Sequence, residues 1–366
     1  MAERPPLLPD LFRMVIKMIV GGILIIGLVS CGVAAVAGAG SGGQSVAKAP
    51  ISKTLYGEKS SENAILRVDI IGPILTHAPQ EDTSFFSSIQ SVTYGYEVKE
   101  QLLKAAKDED IKAVMLFVTT PGGSIVGSHA IHEGVLAVKE AGKPVIAYVD
   151  SFSASGGVWS TAAADQIFAD YGSLIGSVGV IFGNFLYFED PVAIDGGLFG
   201  TGITTRGGIK STLIAASEGK DLGNPFRPMS EREKSLLESS AEEFYEKFLD
   251  HVTALRPMDR TALIEQHGAM IYANDLAQSY GYIDDTKTYQ ETLSFIAGEI
   301  GAEGNDWKLV SPPAVEKSPF EKMFGASLAA ISGGRAEAAK NTAICTELTT
   351  GPVAMTAQNL ANLCGF

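Results

Sequence analysis

Hydrophobic positions along this chain form short apolar runs, separated by glycine-rich turns and by stretches with helical spacing. Ala64–Ile71 is mostly apolar and meets Gly72–Pro73, the pattern of a strand ended by a turn. A polar loop over 80–94 comes next. Residues 96–107 then place Val98, Leu102, Leu103 and Ala106 on one side, which predicts a helix. Ala113–Val118 is apolar without a break, as expected of a strand buried on both faces. Thr119–Thr120–Pro121–Gly122–Gly123–Ser124 leads into helical spacing from Ile125 to Ala141, stopped by Gly142 and Pro144. Val145–Val149 predicts the next strand, Ser155–Gly156–Gly157 a turn into a short helix of small residues, and Asp165–Ala169 another strand.

Strand, glycine turn, helix, strand, serine turn and helix in succession indicate an α/β domain with mainly parallel pairing. Ligands in such sheets bind beyond the carboxyl ends of the strands, and both Gly122–Gly123 and Ser155 lie there. Further on, Ser230 with Glu233 three positions later makes a capping-box pattern. It opens a helix whose apolar stripe is Leu237, Ala241, Phe244, Tyr245, Phe248 and Val252. After Gly301 the chain is rich in Pro, Ser, Ala and Gly, with a short helix expected around 320–331.

The N-terminal region changes the picture. No charged residue falls between Met18 and Ala37, a length that spans a hydrocarbon core of about 30 Å as a helix. Arg4, Arg13 and Lys17 precede it and no Lys or Arg follows until Lys48, so the positive-inside bias puts the N-terminus in the cytoplasm and the bulk of the chain outside it. Leu28–Val29–Ser30–Cys31 also resembles a lipoprotein cleavage site, with Cys31 acylated. Either route ends on a membrane. The expected organisation is a cytoplasmic tail (1–17), an anchor (18–37), a flexible linker (38–62), a main α/β domain (63–301) and a C-terminal extension (302–366).

Gly38–Ala39–Gly40–Ser41–Gly42–Gly43 matches Gly-x-Gly-x-x-Gly, but it follows the apolar span rather than a strand, so no dinucleotide site is expected. A net charge of −14 argues against nucleic acid as a partner. The three cysteines have no metal-ligand spacing, and Cys345 with Cys364 can pair in an oxidising compartment. His129 and His132, three residues apart, are not a His-Glu-x-x-His zinc site and read as helix-surface residues. Neither a cofactor nor a metal is expected.

Ser155 is the candidate nucleophile: it stands at a strand-to-helix junction and is followed by two glycines that permit close backbone approach. The competing reading is a simple helix cap. The sequence is not a Gly-x-Ser-x-Gly elbow, since Ser153 stands where the first glycine belongs. A serine nucleophile needs a base. None of the five histidines has a triad-like setting, which leaves a lysine whose burial favours the neutral amine. Lys210 and Lys220 both remain open on spacing alone.

Several motifs in order resemble the signal peptide peptidase A family of membrane-anchored bacterial serine proteases, peptidase family S49. They are Thr120–Pro121–Gly122–Gly123, Ser155–Gly156–Gly157, Ala162–Ala169, Gly176–Val180, Lys220–Asp221 through Pro225 with Met229–Ser230, and Tyr272–Ala277 with Gly281–Asp284. The resemblance covers about residues 63–301. It implies a crotonase- or Clp-like ββα superhelix, with Ser155 as nucleophile, Lys220 as general base and Ser177 orienting that lysine. It also implies that the backbone N–H groups of Gly123 and Gly156 bind the oxyanion. The partners implied are apolar peptides such as remnant signal peptides, membrane lipid, and further copies in a ring where serine and lysine come from adjacent subunits. The location implied is the bacterial inner membrane with the catalytic domain on its outer side. Thr119–Thr120 replaces the family's usual Asn-Ser, Val158–Trp159 replaces a common pair of tyrosines, and the stretch between Gly207 and Lys220 is longer than usual. Lys210 therefore competes for the base. A non-catalytic scaffold is the alternative function, and an acyl-CoA enzyme on a related fold is a third.

Overall fold

The computed structural model describes residues 53–78, 92–183, 185, 187–189, 212–214, 216–217, 219–312 and the backbone of 352–355. The expected anchor, Cys31, Lys210, the helix around 320–331, Cys345 and Cys364 lie outside the described residues. No helix among the described residues is long and apolar enough to cross a membrane.

The main sheet runs β1 (Thr54–Gly57), β13 (Lys308–Val310), β2 (Ala64–Ile71), β5 (Ile111–Thr120), β7 (Val145–Ala154), β8 (Gln166–Ala169) and β12 (Asp285–Thr286). From β13 to β12 every pairing is parallel, and β1 is antiparallel at the edge. The sheet thus takes in residues from both sides of the 63–301 segment. The architecture is α/β with mainly parallel pairing, as the alternation of elements implies.

Strand β5 shows why its sequence is an unbroken apolar run. Val114, Leu116 and Val118 point to one core, with Val145, Ala147 and Val149 of β7. Ala113 and Met115 point to the other, with Ile146 and Tyr148. The first core is closed by Leu102 of α1 (Gly95–Lys107), Ile131 and Val135 of α2 (Ile125–Glu140), and Phe248 and Val252 of α4 (Glu231–Leu255). The second is closed by Leu293 and Ile296 of α5 (Tyr289–Glu299), together with Trp307. Each such side chain contributes about 1.5–3 kcal/mol by leaving water. Leu116→Ala would cost about 2–5 kcal/mol, since both flanking strands are fixed.

The helix starts follow local chemistry. Ser124 Oγ accepts from Gly127 N–H at 3.3 Å to cap α2. Ser230 and Glu233 form the expected capping box at α4.

A second, smaller sheet runs β10 (Ile181–Phe182), β14 (Pro352–Met355), β6 (Gly122–Ser124), β3 (Ile74–Leu75) and β4 (Thr93–Tyr94). It lies at the carboxyl ends of β2 and β5, because β3 and β6 continue the chain from them. One irregularity shapes the site. Val118 of β5 pairs with Val149 of β7, but Thr119 pairs with Phe152, so the exposed Asp150–Ser151 are bulged out. Beyond the bulge β7 leaves β8 and pairs in parallel with β9 (Leu174–Gly176), whose other side pairs antiparallel with β11 (Ile271–Ala273).

Candidate active site

The re-aimed end of β7 delivers its chain to Ser155 in an unusual conformation. Ser155 has φ +54° and Ser177 has φ +60°, and they alone among the described non-glycine residues have positive φ. A side chain in this region costs on the order of 1–3 kcal/mol, and such strain collects at functional sites. The two serines are also neighbours. Ala154 pairs with Gly176, and the Ser155 N–H donates to Gly176 O at 2.8 Å. Ser177 is fixed from the far side, its N–H donating to Met270 O at 2.6 Å.

Ser155 is wholly buried, and its hydroxyl donates to Gly179 O at 3.3 Å. Its side chain makes no cap for the following helix, α3 (Gly156–Thr161). The capping reading therefore has no hydrogen bond to support it.

Two glycines are required by close approach. A Cβ on Gly157 would lie 2.6 Å from Thr120 Cγ2 and 3.0 Å from Ser153 Oγ, so α3 is pressed onto the end of β5. A Cβ on Gly123 would lie 2.1 Å from Ile74 O, since β6 runs directly beside β3. Helix α3 packs against β6, which brings the segments of Ser155, Gly156 and Gly123 together.

Thr120, a departure from the family pattern, holds that turn itself. Its buried hydroxyl donates to Gly72 O at 2.7 Å and accepts from Gly122 N–H at 3.1 Å. The sequence named the position without revealing this bridge, because Gly72 is remote along the chain.

Lys220 has a different setting. It is exposed, on a turn where its N–H donates to Ser217 O at 3.4 Å. Among the described residues no hydrogen bond joins it to Ser155. What fixes its turn is next to it: Arg227 bonds Asp221 Oδ1 at 2.7 Å and Glu233 Oε1 at 2.6 Å, tying the segment to the capping box of α4. The Arg227 guanidinium holds both carboxyls at about 2.

The histidines correct one expectation. His129 is exposed as expected, but His132 is buried rather than on the helix surface. Helix α4 packs on it: the His132 and His251 rings are 4.5 Å apart, and His251 stacks on Trp159 at 4.5 Å. Burial, followed by the neighbouring His251 and His129, pushes His132 down to about 4. An amphipathic pattern for α2 alone did not reveal that α4 covers this side.

An open groove of about 590 Å³ lies here, lined by Ile125, Val126, Trp159 and Phe244 among others. A second of about 610 Å³ runs past Ser177, Gly179 and Ile181. The site thus offers a buried hydroxyl at a strained turn, glycine backbone close by, and two flanking grooves.

Residues 137–302 match the family model of peptidase family S49. A Methanocaldococcus jannaschii protein that carries a protease name is 32% identical over 51% of this chain and 56% of its own. Protease 4 of Haemophilus influenzae is 27% identical over 63% of this chain and 34% of its own. An Enterococcus faecium protein named as a signal peptide peptidase SppA is 26% identical over 68% of this chain and 70% of its own. The chain thus spans little more than half the length of the first of these and a third of the second. A solved structure of a membrane-bound stomatin-specific protease mutant with a substrate peptide is 15% identical, covers 73% of this chain and 98% of that one, and has a TM-score of 0.38, too distant a likeness to argue from. On the family match over residues 137–302 and these relatives, the chain is similar to proteases of peptidase family S49 and to signal peptide peptidase A.

Proposed function

We propose that this protein is a membrane-anchored serine endopeptidase in which Ser155 is the nucleophile and Lys220 the general base. The observation that carries the reading is the pair of left-handed serines, Ser155 and Ser177, joined through Gly176 at the end of the central strand β7. A helix cap needs neither the strain nor the burial. A nucleophile held in one orientation makes use of both.

In the proposed reaction Ser155 Oγ adds to the carbonyl carbon of a peptide bond as its proton passes to a neutral lysine amine. The N–H groups of Gly123 and Gly156 receive the oxyanion, donors of a kind worth roughly 3–4 kcal/mol each. The C–N bond then breaks, and the lysine gives its proton to the leaving amine. Water, deprotonated in the same way, hydrolyses the ester and restores the hydroxyl. Ser177 positions the lysine.

The exposure of Lys220 in one chain fits the proposal that the dyad is completed between subunits of a homo-oligomeric ring. A lysine works as a base only where it is desolvated, and a neighbouring copy supplies that burial. The fold in this reading is the crotonase- or Clp-like superhelix. The apolar segment 18–37 holds the ring on the inner membrane with its sites on the outer face, where apolar peptides such as remnant signal peptides are the substrates.

The test is hydrolysis of a quenched, unstructured apolar peptide by full-length protein in lipid nanodiscs. Activity that disappears in Ser155→Ala supports the reading. Equal activity in Ser155→Ala ends it, and a folded, assembled protein without any hydrolysis favours the scaffold alternative.

A further inference from the structure

The left-handed conformations of Ser155 and Ser177 last only while the short strands around them hold their places. Strand β9 pairs with β7 through Leu174, Ile175 and Gly176, opposite Phe152, Ser153 and Ala154. On its other side the same residues face Ala273, Tyr272 and Ile271 of β11. Register in strands so short depends on what ties their ends. One end is tied at the serines, where Ser155 N–H donates to Gly176 O and Ser177 N–H to Met270 O. A single side chain ties the other. Asn274 follows β11 directly and is 7% exposed. Its Oδ1 accepts from Gly172 N–H at 3.0 Å, and its Nδ2 donates to Asp170 O at 2.9 Å and to Thr286 Oγ1 at 3.1 Å. The amide thus joins the turn before β9 to the end of β11 and to β12.

The orientation of that amide is forced, because a backbone N–H can only donate and a carbonyl can only accept. Neither an ionised Asp nor Leu, both close to Asn in shape, offers the same combination. Gly172 has φ +88°, a conformation open to glycine, and so turns its N–H towards Asn274. The same turn reaches the bulge in β7. Buried Ser173 donates its hydroxyl to Val149 O at 3.1 Å and to Asp150 O at 3.3 Å, and Asp170 N–H donates to Val149 O at 2.8 Å. An unbroken set of bonds therefore runs from Asn274 through residues 170–173 to the bulge, and along β9 to Ser155.

We propose that Asn274 is a positioning residue for the nucleophile: its side-chain amide clamps the turn at 170–173 to the end of β11, and so fixes the strand against which Ser155 and Ser177 are held. The proposal rests on the serine-peptidase reading and adds a residue that touches neither substrate nor base. Without the amide, the Gly172 N–H and the Asp170 carbonyl lose their shared partner, which favours a turn that reaches other partners. Strand β9 then shifts along β7, the pairing of Ala154 with Gly176 moves with it, and Ser155 leaves φ +54°. Its hydroxyl is no longer held in one orientation. The groove lined by Ile125, Val126, Trp159 and Phe244 is built by other segments, so the loss falls on kcat rather than on KM.

The experiment uses full-length protein in lipid nanodiscs. Asn274→Ala is expected to lower kcat for the quenched apolar peptide by about 10–100-fold with KM unchanged, and to slow fluorophosphonate labelling of Ser155 by the same factor. Asn274→Asp, which keeps the acceptor but cannot donate to Asp170 O, is expected to lose as much. Thr286→Val removes one bond of the clamp and should lose less. Hydrogen exchange read by mass spectrometry should rise over 152–158 and 174–178 in Asn274→Ala and stay at the wild-type level over 111–118. A thermal melt checks that each variant is folded. Ile296→Val, in the second core, lowers the melting temperature without touching the clamp and is expected to keep the wild-type kcat. If Asn274→Ala melts lower yet keeps its kcat, labelling rate and exchange, the proposal is overturned and the peptidase reading survives. Should Asn274→Ala fail to fold, Thr286→Val decides, and an unchanged kcat and labelling rate there overturn the proposal. A wild type that cuts no peptide and takes no label at Ser155 ends the peptidase reading instead. Exchange alone then judges the clamp, and an unchanged pattern in Asn274→Ala overturns it too.

Discussion

The turn that carries Ser155 is held from several sides, whereas the turn that carries Lys220 is held at its neighbour alone. Ser155 follows a strand paired with both β5 and β9, its N–H is bonded to Gly176 O, and α3 behind it is pressed onto Thr120. Lys220 is exposed, and the fixed residue is Asp221, bound to Arg227. The difference teaches where each half of the proposed chemistry is set. The proposed nucleophile is placed by the fold of one chain, at a cost in backbone strain. The proposed base sits on an exposed loop, and its burial is assigned by the proposal to a neighbouring subunit.

The sharpest way to break this contrast is at the strained serine. Ser155→Gly is expected to reduce peptide hydrolysis by about 10⁴-fold or more, as loss of a nucleophile does. Because glycine accepts φ near +54° without steric cost, the same variant is expected to melt at a higher temperature than Ser155→Ala. Equal melting temperatures for the two would show that the turn stores no strain.

Second in size is the lysine. Lys220→Ala is expected to lower kcat by about 10²–10⁴-fold, the contribution of a general base, with no change in the melting temperature of the isolated chain, where the side chain is exposed. Lys210→Ala serves as the control, and a larger loss there would move the base to position 210.

How far the sequence anticipated these two turns differs for physical reasons. The strands, the helix caps and the serine turn depend on local signals, such as Ser230 with Glu233 or the apolar run before Ser155, and the structure has them where the pattern implies. Long-range partners leave no such trace. The Thr120 bridge to Gly72, the seating of α4 over His132, and the insertion of residues 352–355 beside Gly123 join segments 48 or more positions apart, and no periodicity encodes them. The left-handed φ of Ser155 and Ser177 was equally hidden, since serine has no special preference for it.

A smaller effect probes the Lys220 side of the comparison. Arg227→Ala removes the anchor at Asp221 and Glu233, and is expected to cut activity by about 10–100-fold through misplacement of the neighbouring lysine. The pH dependence carries its own sign. Both carboxyls are held at about 2, below their ordinary values of 3.8 and 4.5. The stabilisation is therefore complete above about pH 4.5 and is lost as the pH falls towards 2. Melting curves of the wild type should steepen their decline over that window, and those of Arg227→Ala should do so less, since the Ser230 contacts to Glu233 remain.

The smallest expected effect concerns the scaffold behind the serine. His132 is held neutral by burial, at about 4 against an ordinary 6.5, so the unfolded chain binds the proton more readily between those values. Stability should fall as the pH drops from about 6.5 to 4, by on the order of 1 kcal/mol after solvent screening. His132→Leu should flatten that part of the profile, as read by denaturant unfolding at each pH.

Covalent labelling tests the central claim most directly. The full-length protein in nanodiscs is treated with a fluorophosphonate, digested and mapped by peptide mass spectrometry. The account predicts an adduct on the Ser155 hydroxyl that disappears in Lys220→Ala. Peptide hydrolysis that continues while Ser155 stays unmodified, with the adduct on another serine, would contradict it.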